Sequence, residues 1–171
     1  MSDSKLSRRD FLAAGTGAAA AGLLGTSDAR GAATKENGTS RVVLIRSDEV
    51  LGENGQPRAQ ILHDMLNRAV AELLEEKDAT AAWKRLVSTS DDVGIKSNDR
   101  VYLPTPPALE EAIQAEVERV GVAPEDIGID DRNVKSNPVF RRATAFINTR
   151  PMRTHNWSGL GTCIKKLITF T

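Results

Sequence analysis

Asp91-Asp92-Val93-Gly94-Ile95-Lys96-Ser97-Asn98 is the stretch whose reading decides the fold. Val93 to Ile95 is a short apolar run behind two acids, the pattern of a strand buried in a parallel sheet. It ends on Lys96 and Asn98, polar side chains placed where such a strand leaves the core. In an open α/β sheet, ligands bind at the carboxyl ends of the strands. The stretch thus predicts a fold class and the end of the sheet where a site belongs.

Upstream, Arg41-Val42-Val43-Leu44-Ile45-Arg46 is a continuous, β-branched apolar run that predicts a strand buried on both faces. The loop from Ser47 to Pro57 carries Gly52 and Gly55 but has neither a dinucleotide fingerprint nor the Lys-Ser/Thr of a P-loop, so it reads as a turn. From Ala59 to Leu74 the apolar positions Ile61, Leu62, Met65, Leu66, Ala69, Val70, Leu73 and Leu74 recur at helical spacing and predict an amphipathic helix. His63 sits at the boundary of that stripe. Asp78 is placed to cap a second helix, Ala79 to Val87, with Trp83 as a packing anchor.

Downstream, Thr105-Pro106-Pro107 predicts a helix start with Thr105 as the cap, and Glu110 and Glu111 fall in the first turn. Gly121 ends that helix. Asp126 to Arg132 predicts a strand with Ile127 and Ile129 on one face, and Ala143 to Asn148 predicts another. The piece from Met152 onward reads either as a Gly-rich loop opening a helix or, at Leu167 to Thr171, as a strand. Alternating strands and helices predict an α/β fold, a mainly parallel sheet of about four strands with helices on its faces.

The chain has 171 residues, with 23 Lys+Arg against 23 Asp+Glu, so its charge gives no reason to expect nucleic acid as a partner. One cysteine, Cys163, excludes an internal disulfide and makes an iron–sulfur cluster unsuitable. No cofactor is evident. Two histidines, His63 and His155, do not make a self-contained zinc site.

At the amino end, Ser7-Arg8-Arg9-Asp10-Phe11-Leu12 precedes the Ala- and Gly-rich run from Ala13 to Gly25. The pair Arg8 and Arg9, then Phe11 and Leu12, then the mildly apolar run resemble a twin-arginine export signal over residues 1–33. The resemblance implies the twin-arginine translocation machinery as a partner, export of a folded protein, and a periplasmic or cell-envelope location. Ser27-Asp28-Ala29 and Gly31-Ala32-Ala33 are alternative processing sites. The run is too short and Gly-rich for a permanent membrane span. Residues 34–40 read as a polar linker, leaving 41–171 as a single domain.

With parallel strands, Lys96 and Asn98, then Asp130-Asp131-Arg132, then Arg153 and His155 meet at one edge, with Lys165 approaching from the last segment. Cations at strand ends near helix amino ends suit a phosphate or carboxylate. Lys96, Asp131 and His155 are the candidate proton-transfer groups, and Asn98, Arg132, Arg153 and Lys165 the candidate ligand-binding groups. Against this stands a purely structural pairing of Asp131 with Arg132 or Lys96. Adjacent aspartates on a strand point to opposite faces, so metal binding is not predicted.

Asp92-Val93-Gly94-Ile95-Lys96-Ser97-Asn98, Thr105-Pro106, Ile127-Gly128-Ile129-Asp130-Asp131-Arg132, Phe146 to His155 and Ser158 to Leu167 together resemble the domain-of-unknown-function 362 family. That resemblance implies an α/β domain of unsettled activity. The chain departs from the pattern at Arg153, where the family has lysine, and at Lys166, where it has asparagine. Its connection from Asn133 to Thr144 is shorter, and it stops where relatives continue. Three readings follow: an exported protein with an anion-binding and catalytic site, a non-catalytic binding module, or a truncated copy completed by a partner chain.

Overall fold

The computed structural model describes residues 40–155 and 159–161, with Arg153, His155 and 159–161 through their backbone alone. Residues 1–39, where the export signal and most of the linker are expected, and Lys165 lie outside the described residues.

Val93–Lys96 forms β1, and all four of its residues are buried. It is the middle strand of a parallel three-stranded sheet, flanked by β2 (Ile127–Asp130) on one side and β3 (Ala145–Asn148) on the other. The register sets Lys96 opposite Asp130 and Asn148 and brings Gly94 beside Gly128. Because side chains alternate along a strand, each face of this sheet receives a different population. Val93, Ile95, Ile127, Ile129, Ala145 and Ile147 pack with the core built by α1 (Ala59–Leu74), α2 (Ala79–Leu86) and α3 (Pro107–Val120).

The opposite face is covered differently. The short helix α4 (Pro138–Arg142), capped by the Asn137 side chain, lays Val139 and Phe140 over Gly94 and Gly128. A Cβ at Gly128 would stand 3.0 Å from Val139 Cβ, and one at Gly94 would stand 3.1 Å from the Phe146 ring. The paired glycines therefore make the slot that Phe140 fills, and Phe140 meets Phe146 edge-on with ring centroids 5.4 Å apart.

Both acids before β1 have structural work. Asp91 accepts from the Ser88 backbone N–H and the Thr144 hydroxyl, each at 2.7 Å, and the Asp92 carboxylate pairs with Arg142 at 2.6 Å. Arg142 also holds Asp126 at 2.7 Å, so one guanidinium ties together the lead-ins to β1 and β2 at the amino edge of the sheet.

The helices follow the periodicity closely. α1 covers the span its apolar stripe predicts, and Asp78 caps α2 by accepting from the Ala81 N–H at 2.9 Å. Trp83 is 2% exposed, and such burial of a large side chain contributes roughly 2–3 kcal/mol. Gly121 ends α3 with φ of 111°, a left-handed conformation that costs glycine nothing.

Three expectations are corrected. Residues 41–46 form no strand: Val42 is 85% and Leu44 71% exposed, and no neighbouring strand supplies a ladder for them. An apolar, β-branched run is only a strand candidate until it finds an edge to pair with. Among the described residues the parallel sheet accordingly has three strands, and a fourth is not seen. Thr105 does not cap α3; Pro106 occupies that position, and the Thr105 hydroxyl instead accepts from the Asn98 N–H at 3.1 Å. In the piece from Met152 onward, β4 (Arg153–His155) and β5 (Gly159–Gly161) pair antiparallel where a Gly-rich loop is expected, and the helix or strand expected beyond them lies outside the described residues. No helix among the described residues is long and apolar enough to cross a membrane.

Candidate functional site

The carboxyl ends of β1 and β2 bring Lys96 and Asp131 together. Lys96 is 1% exposed, and its ammonium lies 2.5 Å from Asp131 Oδ1 while also donating to the Asp131 backbone carbonyl. The second carboxylate oxygen of Asp131 accepts from the Asp99 N–H at 3.1 Å. A lysine ends up buried here because β1 is the central strand: β2, β3 and the following loop close around its last residue. Transfer of a lone ammonium into such a place is strongly unfavourable, and the adjacent carboxylate offsets it. Of the two structural pairings weighed for Asp131, the one with Lys96 forms.

Arg132 points elsewhere. Its guanidinium pairs with Asp99 at 2.7 Å, and both groups are well exposed. Asn98 is buried and organises the loop that follows β1: its Nδ2 donates to the Leu103 carbonyl at 2.5 Å, and its backbone carbonyl accepts from Thr105 N–H at 2.8 Å. Asn98 Oδ1 is buried with no hydrogen-bond partner, an acceptor left wanting a donor. Ser97 turns its hydroxyl to Glu110 on α3, and Thr105 reaches Thr149 after β3. The loops after all three parallel strands therefore meet at one rim, as the alternation of elements predicts.

For Arg153 and His155 the backbone alone is described, in β4; their side chains, and Lys165 as a whole, lie outside the described residues. Among the described residues no group of three His, Cys, Asp or Glu is arranged to hold a metal ion.

Sequence reasoning missed a second buried polar cluster. Glu116 on α3 is fully buried, and its Oε1 receives Asn67 Nδ2 at 2.8 Å, His63 Nε2 at 2.5 Å and Arg119 at 3.1 Å. Asn67 Oδ1 in turn accepts from the Trp83 indole N–H at 2.9 Å. One carboxylate thus joins α1, α2 and α3. The available signal was the position of Glu116 inside the apolar stripe of α3, between Ile113, Val117 and Val120.

Two cavities lie away from the Lys96 rim. The larger, about 450 Å³, sits where α1 ends and α2 begins; its wall alternates acids and bases, with Arg41 paired to Glu75. The smaller, about 200 Å³, lies between α1 and α3 beside His63. Comparison with protein-family models, curated proteins and solved structures gives no match to this chain.

Proposed function

We propose that the domain binds a small anion, a phosphate or carboxylate, at the carboxyl rim of its parallel sheet. The observation that carries this reading is the Lys96 ammonium, buried at the end of the central strand and paired, among the described residues, with the Asp131 carboxylate from the next strand's loop. Asp131 is the outer member of the pair, its side chain 10% exposed against 2% for Lys96. A ligand anion entering from that side takes the place of the Asp131 carboxylate on Lys96. The unpartnered Asn98 Oδ1 accepts from a ligand hydroxyl, as the acid proton of a phosphate monoester or the hydroxyl of a hydroxy acid supplies.

In the fuller version of this proposal the protein is exported through its twin-arginine leader, is related to the domain-of-unknown-function 362 family, and uses Lys96, Asp131 and His155 for proton transfer, with Arg153 and Lys165 completing the anion seat. The supports are the leader motif, the quoted motif stretches and the meeting of the first two of those groups.

The test is calorimetric titration of the protein with inorganic phosphate and with glycolate. Asp131→Asn removes the competing carboxylate, and tighter phosphate binding by about tenfold is expected, as for loss of one partly screened charge. Lys96→Met is expected to abolish binding, and the double variant Lys96→Met/Asp131→Leu, which leaves no unpaired charge, separates that loss from misfolding. Phosphate binding that is absent from Asp131→Asn, or retained in the double variant, would overturn the proposal.

A second reading, a module completed by another chain, draws on the outer edges of β2 and β3, which have no neighbouring strand among the described residues, and on Phe146, 41% exposed on the β3 edge. Light scattering decides it: a strictly monomeric, cooperatively unfolding protein removes the need for a completing chain.

A further inference from the structure

The Trp83–Asn67–Glu116–His63 chain fixes a proton. An indole N–H is only a donor, so its bond to Asn67 Oδ1 sets the orientation of that amide and turns Nδ2 toward Glu116. Glu116 Oε1, already accepting from Asn67 and from Arg119, is an acceptor for His63 as well. His63 must therefore present Nε2–H to Glu116, and the neutral ring carries its lone pair on Nδ1. Nδ1 has no hydrogen-bond partner among the described residues. A histidine held by a buried carboxylate in this way has its ring orientation fixed.

That ring lines an open groove of about 200 Å³ between α1 and α3, whose other walls include Gln60, Glu111 and Ala115, all exposed, with Ala108 and the buried Ala112 at its floor. The alanine methyls leave room that larger side chains would fill. Glu111 supplies a second acceptor, and no lysine or arginine lines the cavity. The amino-terminal turns of both helices flank the space, each bringing roughly half a positive charge. The full carboxylates of Glu110 and Glu111 outweigh them.

We propose that this cavity is a binding site for a small primary alkylammonium, its NH₃⁺ held between His63 Nδ1 and the Glu111 carboxylate and its alkyl chain lying on the alanine wall. The site is separate from the anion seat at Lys96 and does not depend on it. An ammonium offers three donors, and the cavity offers acceptors of complementary sign. The volume, roughly seven times the share of one liquid water, suits a chain of a few carbons.

The experiment is a titration of the ¹⁵N-labelled full chain with n-propylammonium, propionate and n-propanol, reading the imidazole signals of His63. In the free protein those signals are expected to show the Nε2–H tautomer, and propylammonium is expected to shift them saturably. Glu111→Gln, a change at an exposed position, is expected to weaken binding about fivefold. Ala115→Leu sets a larger side chain into the wall of the groove and is expected to abolish the shift. Propionate binding as well as propylammonium, an Nδ1–H tautomer, no saturable shift, or a shift that survives Ala115→Leu would each overturn the proposal.

Discussion

Replacing Lys96 by methionine keeps the unbranched stem and removes the charge. Asp131 then remains nine-tenths buried, with the Asp99 N–H among the partners its side chain keeps. Breaking a buried pair from one side costs about 3–5 kcal/mol, because the leftover charge is uncompensated. The remaining N–H and the 10% exposure of Asp131 place this protein at the lower end, about 3 kcal/mol. With a urea slope of about 2 kcal/mol/M for a domain of this size, the unfolding midpoint should fall by about 1.5 M. Asp131→Leu alone strands the lysine and should cost a similar amount. The double variant leaves two apolar side chains of comparable volume and should return to within about 1 kcal/mol of the starting protein, giving a large favourable coupling energy. Equilibrium urea unfolding of all four proteins, followed by tryptophan fluorescence, measures this. A midpoint shift below about 0.5 M for Lys96→Met, or single losses that simply add in the double variant, would refute the view that the two charges are buried against each other.

Other consequences are equally direct. Gly128→Ala puts a methyl 3.0 Å from Val139 Cβ and should destabilise by about 1–3 kcal/mol, with the loss reduced in Gly128→Ala/Val139→Ala; thermal unfolding reads both. Burial pushes the Asp91 carboxyl up, but the Ser88 N–H and the hydroxyls of Thr144 and Ser88 outweigh it and hold its pKa below the ordinary value. A group depressed by folding contributes stability above its unfolded pKa, near 4, and loses it as pH falls through the folded value. The stability gap between the protein and Asp91→Asn should therefore close below about pH 4 in an acid titration followed by circular dichroism, and a gap independent of pH would exclude this account. Glu116→Leu removes the acceptor for His63 and Asn67 together and leaves the Asn67 amide part-buried without it; a loss of about 2–4 kcal/mol is expected by chemical denaturation, and a neutral result would show that the three helices do not need that carboxylate.

By itself the sequence determined the elements whose signal is local. The stripe from Ile61 to Leu74, the Asp78 cap, the Thr105-Pro106-Pro107 start and the Gly121 stop each depend on neighbours within a turn, so α1, α2 and α3 were legible apart from the cap of α3, which falls on Pro106 rather than Thr105. So were the three strands of the sheet and their parallel sense, because each is short, apolar and separated from the next by a helix. From that topology, the meeting of Lys96 with the loop carrying Asp131 followed.

Only tertiary structure decided the rest. Whether Val42 to Ile45 became a strand depended on docking against a sheet edge, which no local pattern reports; the run stays exposed while the outer edges of β2 and β3 go unpaired among the described residues. Whether Lys96 paired with Asp131 while Arg132 turned to Asp99 depended on which side chains the register buried. The slot at Gly94 and Gly128 required two strands to align their glycines under α4. Glu116 is the clearest case, for a glutamate in a helix ordinarily faces water, and its burial rests on donors from α1, its own helix and, through Asn67, α2. Desolvation acts on a charge through everything that surrounds it in space, whereas sequence spacing reports only what surrounds it along the chain.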